Sequence, residues 1–146
     1  MAAEIRIERV LPATIGRVYD AWTRADLLVQ WYCPNPRLAL KVDADVRAGG
    51  SYVVEMGPHV VRGTYLEVEP PTRLVFSWQW DGTDDAPTRV EVELTEVPEG
   101  TRMRLSHTGF ATAEDAANHR LGWDPEILRL VELLSVRQPG PAAGRG

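Results

Sequence analysis

The stretch Gly63 to Trp80, GTYLEVEPPTRLVFSWQW, constrains the fold of this chain more than any other segment. Two β-rich runs flank Pro70-Pro71. In the second, Leu74, Phe76, Trp78 and Trp80 alternate with Arg73, Val75, Ser77 and Gln79. Alternation with period two puts the four large apolar side chains on one face of a strand. So much aromatic surface on one face requires either a thick core or an apolar cavity, and the remaining elements must supply the cover.

Ile5, Ile7 and Val10 interleave with charged residues and read as an opening strand ended by Pro12. Thr14 is placed to cap a short helix with apolar positions Ile15, Val18, Tyr19 and Trp22. Thr23 with Asp26 resembles a capping box for a second short helix through Leu27, Leu28 and Trp31, stopped at Cys33-Pro34-Asn35-Pro36. From Arg37 to Thr108 strands follow one another: the alternations Leu38-Leu40-Val42 and Tyr52-Val54-Met56, then His59 to Glu69, Arg73 to Trp80, Thr88 to Val97 and Thr101 to Thr108. Gly49-Gly50, Gly57-Pro58, Pro70-Pro71, Asp81 to Pro87 and Pro98-Glu99-Gly100 supply the turns. Six strands with short connections form an antiparallel meander, with the first strand free to join an edge.

The last element is helical. Thr112 followed by Glu114 and Asp115 marks its start, and Trp123, Ile127, Leu130, Val131 and Leu134 form its apolar stripe. Glu126, Arg129 and Glu132 are expected on the opposite side. Pro125 predicts a kink or break between Gly122 and Pro125, because proline costs a helix interior about 3 kcal/mol. The whole is an α+β domain over residues 1–137, followed by a Pro/Gly/Ala-rich tail at 138–146 that is expected to be disordered. A curved sheet under one long helix leaves a gap between them, and that gap is the candidate site.

Composition narrows the function. The 146 residues carry a net charge of −5 and no Lys/Arg cluster, which argues against nucleic acid. No run approaches the roughly 18 apolar residues of a membrane span and the N-terminus lacks a signal-peptide core, so a cytoplasmic protein without a membrane partner is expected. One cysteine, Cys33, excludes an internal disulfide and fits a reducing compartment. Three scattered histidines and one cysteine show no metal-binding spacing. There is neither a Gly-x-Ser-x-Gly elbow nor a Gly-rich loop opening a helix, so neither a serine hydrolase nor nucleotide binding is indicated, and no cofactor is expected.

Several pieces together carry a family resemblance: VYDAWT at Val18 to Thr23 with Trp31, GTYLEVEPPTRLVFSW, SHTGF at Ser106 to Phe110, and HRLGW at His119 to Trp123. Over roughly residues 5 to 135 the chain resembles the helix-grip superfamily, also called START-like or SRPBCC. Within it, the chain is similar to the branch related to the activator of the heat-shock-protein-90 ATPase. The resemblance implies a curved antiparallel sheet of about seven strands wrapped around a long C-terminal helix, with two short helices after the first strand. It implies no particular chemistry, since the superfold hosts ligand carriers, cyclases, hydrolases, self-sacrificing resistance proteins and co-chaperone modules.

The candidate ligand-binding set is Trp31, Met56, Tyr65, Phe76, Trp78, Trp80, His107, Phe110, His119, Trp123 and Ile127. Most of the aromatics are also simply core material. His107 alternates with Met103 and Leu105 and should point inward, and His119 shares a helical face with Trp123. Both are therefore candidates for ligand orientation or acid/base work, against the plainer reading of core imidazoles bonded to backbone. His59 reads as solvated, Glu55 as outward-facing, and Arg47 and Arg62 as charges needing a partner if buried. The leading expectation is a binding protein for a small hydrophobic or aromatic molecule. The alternatives are a polyketide cyclase/aromatase- or hydrolase-like enzyme using the same cavity, and a chaperone-ATPase-activating interaction domain. A homodimer is compatible with an exposed edge strand.

Overall fold

The strand that bears the aromatic alternation lies near the middle of a seven-stranded antiparallel sheet. The computed structural model describes residues 4–32, 40–82 and 86–135. In chain order the elements are β1 (Ile5–Leu11), α1 (Ile15–Thr23), α2 (Ala25–Trp31), β2 (Leu40–Ala44), β3 (Ser51–Met56), β4 (His59–Glu69), β5 (Arg73–Trp80), β6 (Thr88–Val97), β7 (Gly100–Thr108) and α3 (Ala113–Ser135). The strand order is β1-β7-β6-β5-β4-β3-β2, a meander whose last strand pairs with the first. This is the helix-grip arrangement, with α3 as the long C-terminal helix and α1 and α2 between the first two strands. Cys33 to Pro36, Leu38 and the C-terminal tail lie outside the described residues, as do the expectations attached to them.

Local chemistry explains most of the boundaries. Thr14 caps α1, its side chain accepting from the Arg17 N–H at 3.4 Å. Thr112 does the same for α3, accepting from Asp115 N–H at 3.0 Å. The expected Thr23–Asp26 capping box does not form. Thr23 is the last residue of α1 and its hydroxyl donates back to the Tyr19 carbonyl at 2.9 Å. Arg24, in extended conformation, separates the two helices, and its guanidinium bonds Asp26 at 2.9 Å.

The two faces of β5 are both buried, for different reasons. Leu74, Phe76 and Trp78 join the main core, as their alternation requires. On the other face Val75 is fully covered. Its cross-strand neighbours are Glu67 and Glu91. Arg73, Glu67, Glu91, Glu93 and Arg89 form a net of ion pairs over that face, where their aliphatic stems shield Val75.

The sheet bends where the β4–β5 ladder changes register between Tyr65 and Glu67. There side chains replace ladder bonds. Tyr52 Oη donates to the Ser77 carbonyl at 2.6 Å, and the Thr64 N–H donates to Ser77 Oγ at 2.8 Å. Gly63 is required at this point: a Cβ would stand 2.0 Å from the Ser77 carbonyl oxygen.

Helix α3 closes the core with Ala116, Trp123, Glu126, Ile127, Leu130 and Leu134 buried. Two expectations are revised here. Of the kink or break expected near Pro125, the break is absent, since one helix runs through it. The carbonyl that loses its donor belongs to Leu121, whose side chain is 73% exposed. That carbonyl belongs to the exposed side of the helix, where solvent is available to take the missing bond. Glu126 is not on the solvent side but 5% exposed. It sits three residues after Trp123 and four before Leu130, hence on the same stripe as both.

Candidate functional site

Aromatic side chains from α1, the end of α2, β5 and α3 meet between β5 and α3. Trp123 of α3 has ring centroids of Trp22 (6.1 Å), Tyr32 (6.1 Å) and Trp78 (5.6 Å) around it. Trp31 packs edge-on against Trp22 at 4.7 Å and spends its indole donor on the Ala21 carbonyl at 2.9 Å. Such contacts at 4.5–7 Å are those of a packed aromatic core.

Beyond this core, at the end of β5 and the start of α3, a cleft of about 160 Å³ opens. Trp78 and Trp80 from β5, Thr88 from β6, Phe110 from the loop before α3, and Asp115 and His119 from α3 form its walls. Trp80, Phe110 and His119 are each half-buried, so the cleft reaches solvent. A second, much smaller space of about 10 Å³ lies among Trp22, Tyr32, Tyr52, Tyr65 and Phe76, room for about one water.

Both histidines come to this region, their rings 5.7 Å apart and each against Phe110, at 4.4 Å for His107 and 4.8 Å for His119. Their nitrogens are already engaged. Trp123 Nε1–H donates to His107 Nδ1 at 3.0 Å, which leaves Nε2 as the protonated nitrogen facing Thr88 Oγ1 at 2.7 Å. Thr88 in turn donates to the Trp78 carbonyl at 3.1 Å. Trp80 Nε1–H donates to His119 Nε2 at 3.0 Å, and His119 Nδ1 then donates to the Asp115 carbonyl at 2.8 Å. Each imidazole thus accepts from an indole. Burial, reinforced by His119, lowers the pKa of His107 to about 3.

The candidate residues therefore divide. Trp78, Trp80, Phe110 and His119 line the cleft, with His107 directly behind. Tyr65 and Phe76 border the small inner space. Trp31, Met56, Trp123 and Ile127 are buried in the core. His59 is exposed with its ring 6.5 Å from Trp80, and Glu55 is half-buried. Arg47 and Arg62 are exposed and paired with Asp45 at 2.8 Å and Asp81 at 2.7 Å. Sequence reasoning missed Thr88, whose only signal is its position at the start of a strand. It also missed Glu126, for which the three- and four-residue spacing to Trp123 and Leu130 was the available signal.

Glu126 is a carboxyl on the buried stripe of α3. Burial raises its pKa well above the ordinary value, with Arg129 opposing. Tyr32, raised mainly by burial, also feels Glu126. Among the described residues no three His, Cys, Asp or Glu side chains gather as metal ligands, and no helix is long and apolar enough to cross a membrane.

Similar folds are known. A protein from Chromobacterium violaceum, CV1439, is 26% identical with a TM-score of 0.81, the match covering 92% of this chain and 99% of that one. The AHSA1 protein from Silicibacter pomeroyi is 25% identical, TM-score 0.75, covering 91% and 98%. CalU16 from Micromonospora echinospora is 25% identical, TM-score 0.73, covering 90% and 76%. No curated protein matches the sequence. The family model described as Activator of Hsp90 ATPase homolog 1-like protein matches residues 12–135.

Proposed function

The chain belongs to the family of Activator of Hsp90 ATPase homolog 1-like proteins, and on that premise we propose that it is a binding domain for a small, flat, apolar molecule held in the cleft between Trp78, Trp80, Phe110 and His119. The observation that carries this reading is the cleft itself, walled by aromatic rings and open to solvent at one end. Its size limits the ligand. An apolar cavity of about 150 Å³ accommodates benzene, so about 160 Å³ holds about one aromatic ring. Larger ligands would project through the mouth.

Acid/base catalysis by the two histidines has less support. A general base needs a free lone pair, and the lone pairs of His107 and His119 are both taken by indole donors. These bonds instead hold the rings of Trp80 and Trp123 in fixed orientation, which pre-forms the cleft and lowers the ordering cost of binding.

Calorimetric titration of 2-naphthol into wild type and Trp80→Ala tests the reading. Trp80 is half-buried, so its removal is expected to weaken binding at least about tenfold while the fold survives. Equal affinity in the two proteins would refute the cleft as the site.

A further inference from the structure

The cleft at the end of β5 has an electrical sign as well as a shape. Asp115 is the one acidic residue that lines it, and among the described residues no Lys or Arg does so. Asp115 is half-buried in the first turn of α3. It stands four residues before His119, a spacing that puts both side chains on one helix face. That face walls the cleft. The arginines beside lining residues place their charge elsewhere. Arg62, opposite Gln79 in the ladder, pairs with Asp81 at 2.7 Å. Arg89, next to Thr88, pairs with Glu91 at 3.3 Å, and Arg120, next to His119, pairs with Asp124 at 3.6 Å. Behind the cleft His107 is uncharged at neutral pH, its pKa lowered to about 3 by burial first and His119 second.

The aromatic walls favour the charge that Asp115 favours. The rings of Trp78 and Trp80 stand at 87° with centroids 5.8 Å apart, and Phe110 closes on His119 at 4.8 Å. Aromatic faces carry negative potential, and rings set at angles around one space suit an organic ammonium. The donors that could serve an anion are spent. Trp80 Nε1–H goes to His119 Nε2 at 3.0 Å, Thr88 Oγ1–H to the Trp78 carbonyl at 3.1 Å, and the Asp115 N–H to Thr112 Oγ1 at 3.0 Å. A carboxylate or phosphate here would meet Asp115 and no cation, and its desolvation would go uncompensated. A wholly apolar ligand would fill the cleft while taking water from the Asp115 carboxylate. A positive nitrogen attached to a ring meets both demands.

Resting on the ligand-binding reading above, we propose that the cleft selects an aromatic ring bearing a protonated amine, with the ring between Trp78, Trp80 and Phe110 and the ammonium group against the Asp115 carboxylate. One ring fills the space of about 160 Å³. The nitrogen lies toward the open end and keeps part of its hydration.

The test uses two probes of nearly equal shape, benzylammonium and benzyl alcohol, titrated calorimetrically at neutral pH and low salt into the full chain as wild type, Asp115→Asn and Trp80→Ala. Wild type is expected to bind benzylammonium about tenfold more tightly, the combined worth of one partly exposed ion pair and one cation–π contact. Asp115→Asn keeps the side-chain shape and the backbone N–H that Thr112 caps, and it should bring the two probes to within about threefold. A full preference surviving in Asp115→Asn overturns the role of Asp115. Equal binding of both probes to wild type overturns the charge selection and leaves the aromatic cleft standing, whereas binding of neither overturns both. Benzylammonium affinity unchanged in Trp80→Ala would place the amine on the outer surface and overturn the cleft as its site. In about 1 M salt, where the Debye length falls to about 3 Å, the wild-type preference should shrink; a preference independent of salt overturns the ion pair.

Discussion

Acidification from pH 6.5 to pH 4.5 is expected to cost the native state about 2 kcal/mol through His107 alone. In the fold the Nδ1 lone pair accepts the Trp123 indole and Nε2–H meets Thr88, so a proton on Nδ1 would set two donors against each other in a buried site. The folded-state pKa of about 3 lies far below the ordinary 6.5. A depressed histidine favours the folded state fully above pH 6.5, and that contribution is lost as pH falls toward the folded value. Over this window the unfolded chain takes up a proton that the folded chain refuses, at up to about 1.4 kcal/mol per pH unit. Glu126 works in the opposite direction. Its folded pKa is raised, so its contribution is full below the ordinary carboxyl value and is lost as pH rises through the folded one. Wild type alone would therefore report the sum. Urea denaturation of Glu126→Gln and of the Glu126→Gln/His107→Gln double variant at pH 6.5, 5.5 and 4.5 isolates the histidine. Other carboxylates, such as Glu67 and Asp81 with pKa values lowered chiefly by hydrogen bonds from Arg73 and Arg62, cancel in the difference. The stability difference between the two proteins should shrink by about 2 kcal/mol across the window. A difference independent of pH would refute the neutral, indole-capped assignment of His107.

Two further outcomes follow from single contacts. Gly63→Ala is expected to lower the urea midpoint by an amount equivalent to about 1–3 kcal/mol, since its Cβ would meet the Ser77 carbonyl oxygen at 2.0 Å and the Tyr52 ring at 2.7 Å; an unchanged midpoint would show that the bend in β4 does not need glycine. Trp123→Phe keeps an aromatic ring but removes the donor to His107 Nδ1, which should cost about 1–3 kcal/mol and raise the His107 pKa, read by NMR titration of the imidazole; a His107 titration identical to wild type would sink that coupling.

The strands and both helix caps at Thr14 and Thr112 were legible in the residues because they depend on near neighbours. Period-two alternation is a property of a few consecutive side chains, and a capping hydroxyl reaches a backbone N–H three residues on. The strand limits at His59–Glu69, Arg73–Trp80 and Thr88–Val97 follow from that alternation and the Gly/Pro turns between them. The length of the last amphipathic stretch pointed to one helix covering the sheet, and the resemblance agreed.

What tertiary structure decided were the cases where a side chain's surroundings come from distant segments. Thr23 has the sequence of a cap, but α1 runs through it and turns its hydroxyl back to Tyr19. Glu126 has the polarity of a surface residue, yet α2 packs against α3 and widens the buried arc to include it. Val75 points away from the main core and is sealed by arginines and glutamates from three strands. Two histidines of inward register became acceptors for indoles 16 and 39 residues away in the chain. Which aromatics would be wall and which core was settled in the same way. Periodicity assigns a side chain to a face, but burial and hydrogen bonding are settled by whatever the rest of the chain brings to that face.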